Sequence, residues 1–291
     1  MTMAATPYRQ RSPLYFAWRR FTANKAAVVS GLVLLVLILM AIAAPLISKT
    51  GYDNQAYLTQ ALAFPSTEFW FGVDDLGRDF FTRIVYGARV SLSIGFTAAL
   101  FSVVIGVPLG AIAGYYGGRA DWAVMRVIEL FSVVPPLLAA MLLGALTGGG
   151  FLTIILIAAL FGWVQVCLLV RAQVKSVREK EFVWAAQALG ATPWYIIRRH
   201  LIANAVSPII VGFVLAIPLA MMLEASLSFL GIGVAPPTPS WGQMINVGMN
   251  FMYFYWHMAV FPTAALAITV LATTLFGDGL RDALDPTMKG R

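Results

Sequence analysis

The sequence predicts an all-α membrane protein: six transmembrane helices with both termini in the cytoplasm. Three observations predict it. Hydrophobic residues make up 60% of the 291-residue chain and charged residues 11%, against about half and a quarter in soluble domains. Charges are absent over runs long enough to cross a bilayer. The basic residues collect on one side of those runs. With a mean hydropathy of +0.81, a soluble globule would lack the polar surface to cover itself, which excludes a cytosolic enzyme and a disordered chain. The single cysteine, Cys167, excludes an internal disulfide framework.

The spans follow from the gaps between charges. Lys25 and Lys49 enclose 23 uncharged residues, a helix of roughly 35 Å, enough for a hydrocarbon core of about 30 Å. Arg89 and Arg119 enclose 29. Glu129 and Arg171 enclose 41, too many for one crossing, and Gly148-Gly149-Gly150 divides them. Between Arg199 and Asp278 the only charge is Glu224, and Pro236-Pro237-Thr238-Pro239 breaks that run. The six spans are 27–47, 92–114, 127–146, 151–170, 206–230 and 257–277. Each exceeds a barrel strand, and backbone groups in lipid must be satisfied within the segment, so they are helices. Pro108, Pro135, Pro136, Pro218 and Pro262 are expected to kink them. The first span resembles a signal peptide in its basic flank and small residues at Ala41–Ala44. Its apolar run and the 26 residues before it are too long for one.

Counting basic residues by flank gives 16 on one side and four (Lys49, Arg78, Arg83, Arg89) on the other. The 16 include Arg9, Arg11, Lys289 and Arg291. This bias places both termini inside, and reads the net charge of +7 as orientation rather than nucleic-acid binding. The resulting organisation is a basic cytoplasmic segment (1–26), a first transmembrane helix (27–47) and an extracytoplasmic segment with an interfacial helix (48–90). A five-helix core containing the cytoplasmic loop 171–205 follows (91–277), and then a cytoplasmic tail (278–291).

Three segments outside the spans carry patterns. In 49–89, Asp74 or Asp75 can cap a short helix, and Asp79 and Arg83 sit at i,i+4. Phe80, Ile84 and Gly87-Ala88 suggest a helix lying on the membrane face; a calcium loop lacks the alternating ligands and final Glu. In 171–205, Ser176-Val177-Arg178-Glu179 has capping-box spacing, and Phe182, Ala185, Ala186 and Leu189 form a narrow apolar stripe. Gly190 suits the end of that helix, and Thr192-Pro193 the start of a second one carrying Arg198 and Arg199. Two short helices meeting at a glycine corner read as a docking element. A basic loop on anionic lipid explains the arginines but not the stripe. The uncharged stretch 231–256, with Trp241, Tyr253, Tyr255 and Trp256, is an aromatic belt and a candidate gate or partner surface.

Catalytic and nucleotide chemistry is missing. Neither Lys49-Thr50 nor Lys175-Ser176 completes a phosphate-binding loop, no HExxH occurs, and His200 and His257 fall on opposite sides. Two carboxylates lie within spans, and buried membrane carboxylates are functional candidates by default. Glu129 has Arg126 three residues away as a mild explanation; Glu224 has no local partner.

Beyond these readings, Trp184-Ala185-Ala186-Gln187-Ala188-Leu189-Gly190, followed by His200-Leu201-Ile202-Ala203-Asn204, resembles the coupling loop of ABC-importer permeases. Trp184 stands where that motif has glutamate, and Ala203 where it has proline. Phe71–Asp79, Tyr86–Leu92, Glu224–Gly233 and Pro236–Gly242 resemble the permeases of the dipeptide/oligopeptide/nickel type, as does Trp18–Lys25. The match most resembles the second, C-type permease and spans nearly the whole chain.

The resemblance implies a type I ABC-importer transmembrane fold in a bacterial or archaeal inner membrane. It implies a homologous permease partner, two ATP-binding subunits that hold ATP and magnesium, and an external solute-binding protein. The chain itself would hold no cofactor and would not be an enzyme. Coupling would fall to Trp184, Ala185, Ala186, Leu189, Gly190, Arg198 and Arg199, and the pathway to Glu224 and Glu129. An outer partner or gate would use Asp74, Asp75, Arg78, Asp79 and Trp241. The rival from the residues alone is a proton-coupled secondary transporter using Glu224. It would need internal inverted repeats, which the two halves do not show.

Overall fold

The computed structural model describes residues 13–284. Arg9, Arg11, Lys289 and Arg291 of the basic count lie outside the described residues. The described chain is helical, with one isolated bridge between Val73 and Asp79. The first helices are α1 (Pro13–Ala23), α2 (Lys25–Ile42) and α3 (Ala44–Ile47). Asn24 starts α2 by accepting a bond from the Ala27 amide at 3.2 Å. Then come α4 (Phe80–Tyr116), α5 (Gly118–Val133), α6 (Pro136–Thr147) and α7 (Phe151–Arg178). The short helices α8 (Glu181–Ala188), α9 (Pro193–Tyr195) and α10 (Ile202–Asn204) follow, the last two joined by a π-helical stretch, Ile196–Leu201. Three more complete the described residues: α11 (Val206–Phe229), α12 (Trp241–Phe251) and α13 (His257–Leu284).

Among the described residues, five helices (α2, α4, α7, α11 and α13) are long and apolar enough to cross a membrane, and a sixth span exists if α5 and α6 are taken together. Those two are bent by 79°. The cause is Pro135-Pro136. Pro136 starts α6, and the ring of Pro135 drives Val134 into extended backbone (ψ 122°), so the helix stops rather than kinks.

The expected interfacial helix is instead the beginning of α4. Asp79, not Asp74 or Asp75, is the cap: its carboxylate accepts from the Thr82 amide at 2.8 Å. With no break after it, α4 runs 37 residues, about 55 Å at the usual rise. Similarly, the expected capping box at Ser176 does not form. Val174 and Val177 are buried, and α7 continues through them to Arg178.

The bundle centre is set by close backbone approach. Gly106, Gly110 and Gly114 recur every four residues on α4. A Cβ there would meet the carbonyl oxygens of Trp163, Cys167 and Arg171 on α7 at 2.7, 2.6 and 2.8 Å. Small residues at that spacing let two helices touch along their backbones, the usual adhesive between helices in lipid. Arg171 and Asp121 tie α7 to α5 through two parallel bonds, one of 2.6 Å. An apolar cavity of about 720 Å³ lies between α2, α4, α11 and α13, with Arg89 its one charged lining residue.

Candidate functional site

Two ends of the bundle hold most of the site residues that the sequence singles out. One carries α8 to α10 and is basic. The other gathers the chain before α4 with residues 231–256, and is aromatic.

At the basic end, α8 stops where the sequence places the stop. Gly190 has φ +81°, and the Ala191 amide reaches back to the Ala186 carbonyl at 3.0 Å. That left-handed residue with its long back-bond is a helix terminator that glycine adopts without strain. Thr192 caps the next arm by accepting from the Tyr195 amide at 3.4 Å, with Pro193 at its first position.

The two arms share one buried underside. Val183 from α8 and Ile196, Ile197 and Leu201 from the π stretch pack with Val174 and Val177 of α7. Phe182 and Tyr195 flank His200, with ring centroids 6.0 and 5.6 Å away. What remains outside is both apolar and basic. Leu189 is 88% exposed, and Trp184, Trp194, Ala185, Arg198 and Arg199 are exposed with it. Only Ala186 of the expected stripe turns partly inward. The arms therefore form a braced elbow with its apolar face on display. A cleft of about 500 Å³ separates Trp184 and Gln187 from Tyr115 and Tyr116 at the end of α4. Arg178 bridges those regions by donating to the Tyr115 carbonyl at 2.9 Å.

At the aromatic end, Asp74 is a hub. Its carboxylate accepts from the amides of Leu76 and Arg78 at 3.0 and 2.9 Å. It also pairs with the guanidinium groups of Arg78 at 2.6 Å and Arg83 at 3.4 Å. Arg83 further donates to the carbonyls of Tyr52 and Pro237. The expected Asp79–Arg83 pair is thus replaced by Asp74–Arg83. Burial and the neighbouring Asp74 push the Asp75 carboxyl above its ordinary value.

Asp74, Arg78, Asp79 and Trp241 are buried, so they hold this end together rather than present it. The exposed groups include Tyr253, at 90%, with Phe254, Trp70, Trp256 and part of Asp75.

The two span carboxylates differ. Glu129 pairs with Arg126 at 2.6 Å on an exposed helix face. Glu224 is 0% exposed and accepts from Ser228 at 2.7 Å and Ser91 at 3.3 Å. The expectation that Glu224 has no local partner fails, since Ser228 sits four residues on along α11 and was readable as an i,i+4 acceptor–donor pair. Ser91 and Ser240 were not readable, because α4 and the loop before α12 bring them in.

Comparison with known proteins now decides the family. A model described as "binding-protein-dependent transport system inner membrane component" matches residues 106–290. A second, "N-terminal TM domain of oligopeptide transport permease C", matches residues 12–65. The chain belongs to the ABC peptide-importer permease family. The dipeptide transport system permease protein DppC of Bacillus subtilis is 43% identical, over 94% of this chain and 85% of that protein. The oligopeptide permease OppC of the same organism is 41% identical, over 94% and 89%. The glutathione transport system permease protein GsiD of Pectobacterium atrosepticum is 39% identical, over 96% and 93%.

Two inward-facing crystal forms of the MetNI methionine ABC transporter share the permease's fold. Their TM-scores are 0.57 and 0.59, at 19% and 18% identity, over 70% of this chain and 96% and 97% of theirs. The permease is thus a multi-pass membrane protein with a type I importer fold. Its Trp184, in place of the motif's glutamate, is an exposed side chain at the mouth of the cleft below α4.

Proposed function

We propose that this permease forms half of the translocation pathway of an ATP-driven importer for peptides or related small solutes. A homologous permease supplies the other half. Two separate ATP-binding subunits, holding ATP and magnesium, dock at the basic end, which lies in the cytoplasm with both termini. A solute-binding protein delivers substrate at the aromatic end, outside the inner membrane. ATP binding biases a bistable helical assembly by its different affinity for the two states.

One observation carries this reading: the elbow displays Leu189, Trp184 and Trp194 while its underside is locked onto α7. Apolar side chains held out on a rigid support serve a protein partner better than they serve water. The braced underside lets force on the elbow pass to α7, and through Arg178 to α4. Selection among dipeptides, longer peptides and glutathione-like solutes rests mainly with the binding protein.

The test is disulfide or maleimide crosslinking from Leu189→Cys in the assembled transporter. The native Cys167 is buried and does not compete. Crosslinks to an ATP-binding subunit, altered by nucleotide, are expected. An elbow that stays unlinked in a complex competent for uptake overturns the reading.

A further inference from the structure

We propose that Glu224 is a positioning residue that seats helix α12 at the aromatic end by collecting two serine relays from that helix's first turn. The observation is a direction of donation. The Trp241 amide donates to Ser91 Oγ at 3.3 Å, and Ser91 Oγ donates to Glu224 Oε2 at 3.3 Å. The Gln243 amide donates to Ser240 Oγ at 3.2 Å, Ser240 to Ser228 at 3.4 Å, and Ser228 to Glu224 Oε1 at 2.7 Å.

Backbone amides can only donate, so each hydroxyl proton is pushed onward, and both chains end on the carboxyl group. A carboxylate is the side chain that accepts at both ends and donates at neither. It also faces the positive end of an 11-residue helix, where negative charge is favoured. Relayed donors strengthen one another when water is excluded, and Glu224, Ser91, Ser228 and Ser240 are all buried.

The surrounding packing leaves α12 little alternative seat. A Cβ on Gly242 would lie 2.5 Å from Ala225 Cα, and one on Gly248 would collide with the Met258 carbonyl. Glu224 thereby serves as the fixed electrostatic anchor of a segment that closes the aromatic end between α4, α11 and α13. That role differs from a proton relay, which needs a carboxyl free to exchange its proton.

The experiment is residue-resolved amide hydrogen exchange on the full chain in nanodiscs, with wild type, Glu224→Gln, Ser91→Ala and Ser240→Ala. Glu224→Gln keeps the volume and replaces one accepting oxygen with an NH2 group, which points a donor at a donor. It should raise exchange at both Trp241 and Gln243 by roughly tenfold. Ser91→Ala should raise Trp241 alone, and Ser240→Ala chiefly Gln243. Wild-type rates at both amides in a folded Glu224→Gln protein overturn the proposal. So does an equal response of both amides to the two serine variants, the mark of general loosening. Should Glu224→Gln not fold, Ser228→Ala decides: it leaves both amide–serine bonds in place and cuts only the link from Ser240 to Glu224. It should raise exchange at Gln243 and spare Trp241, and wild-type exchange at Gln243 overturns the proposal.

The consequence for transport rests on the permease reading above: uptake by the assembled Glu224→Gln complex should fall. Normal uptake with altered amides would count against α12 as a gate, and altered uptake with unchanged amides against the anchor.

Discussion

Arg178, the last residue of α7, donates its guanidinium N–H to the main-chain carbonyl of Tyr115, one residue from the end of α4. The bond satisfies a carbonyl left unpaired at a helix C-terminus and puts a cation where the helix dipole favours one. It also joins the longest helix of the bundle to the chain entering the elbow, three residues before α8. Arg178→Met should cost about 1–2 kcal/mol, since the pair is only partly buried. It should raise the ATP hydrolysed per substrate imported in proteoliposomes, with Arg178→Lys intermediate.

Gly190 separates conformation from space. Its φ is +81° and a Cβ there would meet nothing within 4 Å, so any loss on substitution is backbone strain. Gly190→Val should destabilise the corner by about 1–2 kcal/mol, and Gly190→Asn by less, because Asn tolerates the left-handed region. The reconstituted complex should hydrolyse ATP with less uptake in the order Val, Ala, Asn, wild type. Equal coupling in all four would remove the corner from the mechanism.

Gly110 tests the α4–α7 contact. A side chain there meets the Cys167 carbonyl at 2.6 Å and the Arg171 amide at 3.0 Å, backbone atoms that cannot turn aside. Gly110→Leu should cost about 3 kcal/mol or more, read as a lower melting temperature in detergent. Gly212→Ala is the control. Its nearest contact would be an ordinary 3.4 Å to Leu169, and alanine improves a helix interior by up to about 1 kcal/mol. It should melt at or above wild type.

Asp75 makes the aromatic end sensitive to pH. Its carboxyl is raised by burial and by Asp74, so folding favours the protonated form. That contribution is fully present below the ordinary aspartate value and is lost as pH rises through the folded one. Asp75→Asn, neutral throughout, should melt higher than wild type at neutral pH and match it in acid. A gain that persists unchanged in acid would show that charge is not the cause.

Leu189→Asp should leave thermal stability within about 0.5 kcal/mol, as expected for an exposed site, while weakening co-purification of the ATP-binding subunit. Loss of folding instead would mean the residue braces the elbow.

The residues alone determined most of the scaffold. Uncharged runs bounded by lysine, arginine and glutamate specify crossings because a charge in lipid is costly, and that rule needs no neighbour. The glycine corner at 190 and the cap at Thr192 were legible because their hydrogen bonds close within five residues. The glycine triplet at 106, 110 and 114 carried a readable four-residue spacing that went unused, although its partner on α7 was not in the pattern.

Tertiary structure alone decided the rest. Which of three aspartates caps α4 depended on the chain before it folding back so that Asp74 meets Arg78 and Arg83. Trp241, read as a surface group, became a buried one because its indole N–H finds the Ile84 carbonyl at 3.0 Å. Glu224 looked solitary, but one of its partners lies 133 residues away on another helix. Periodicity and capping act along the chain and leave their mark there, whereas a buried polar group is satisfied by whatever the packing of the whole bundle brings within 3 Å or so of it.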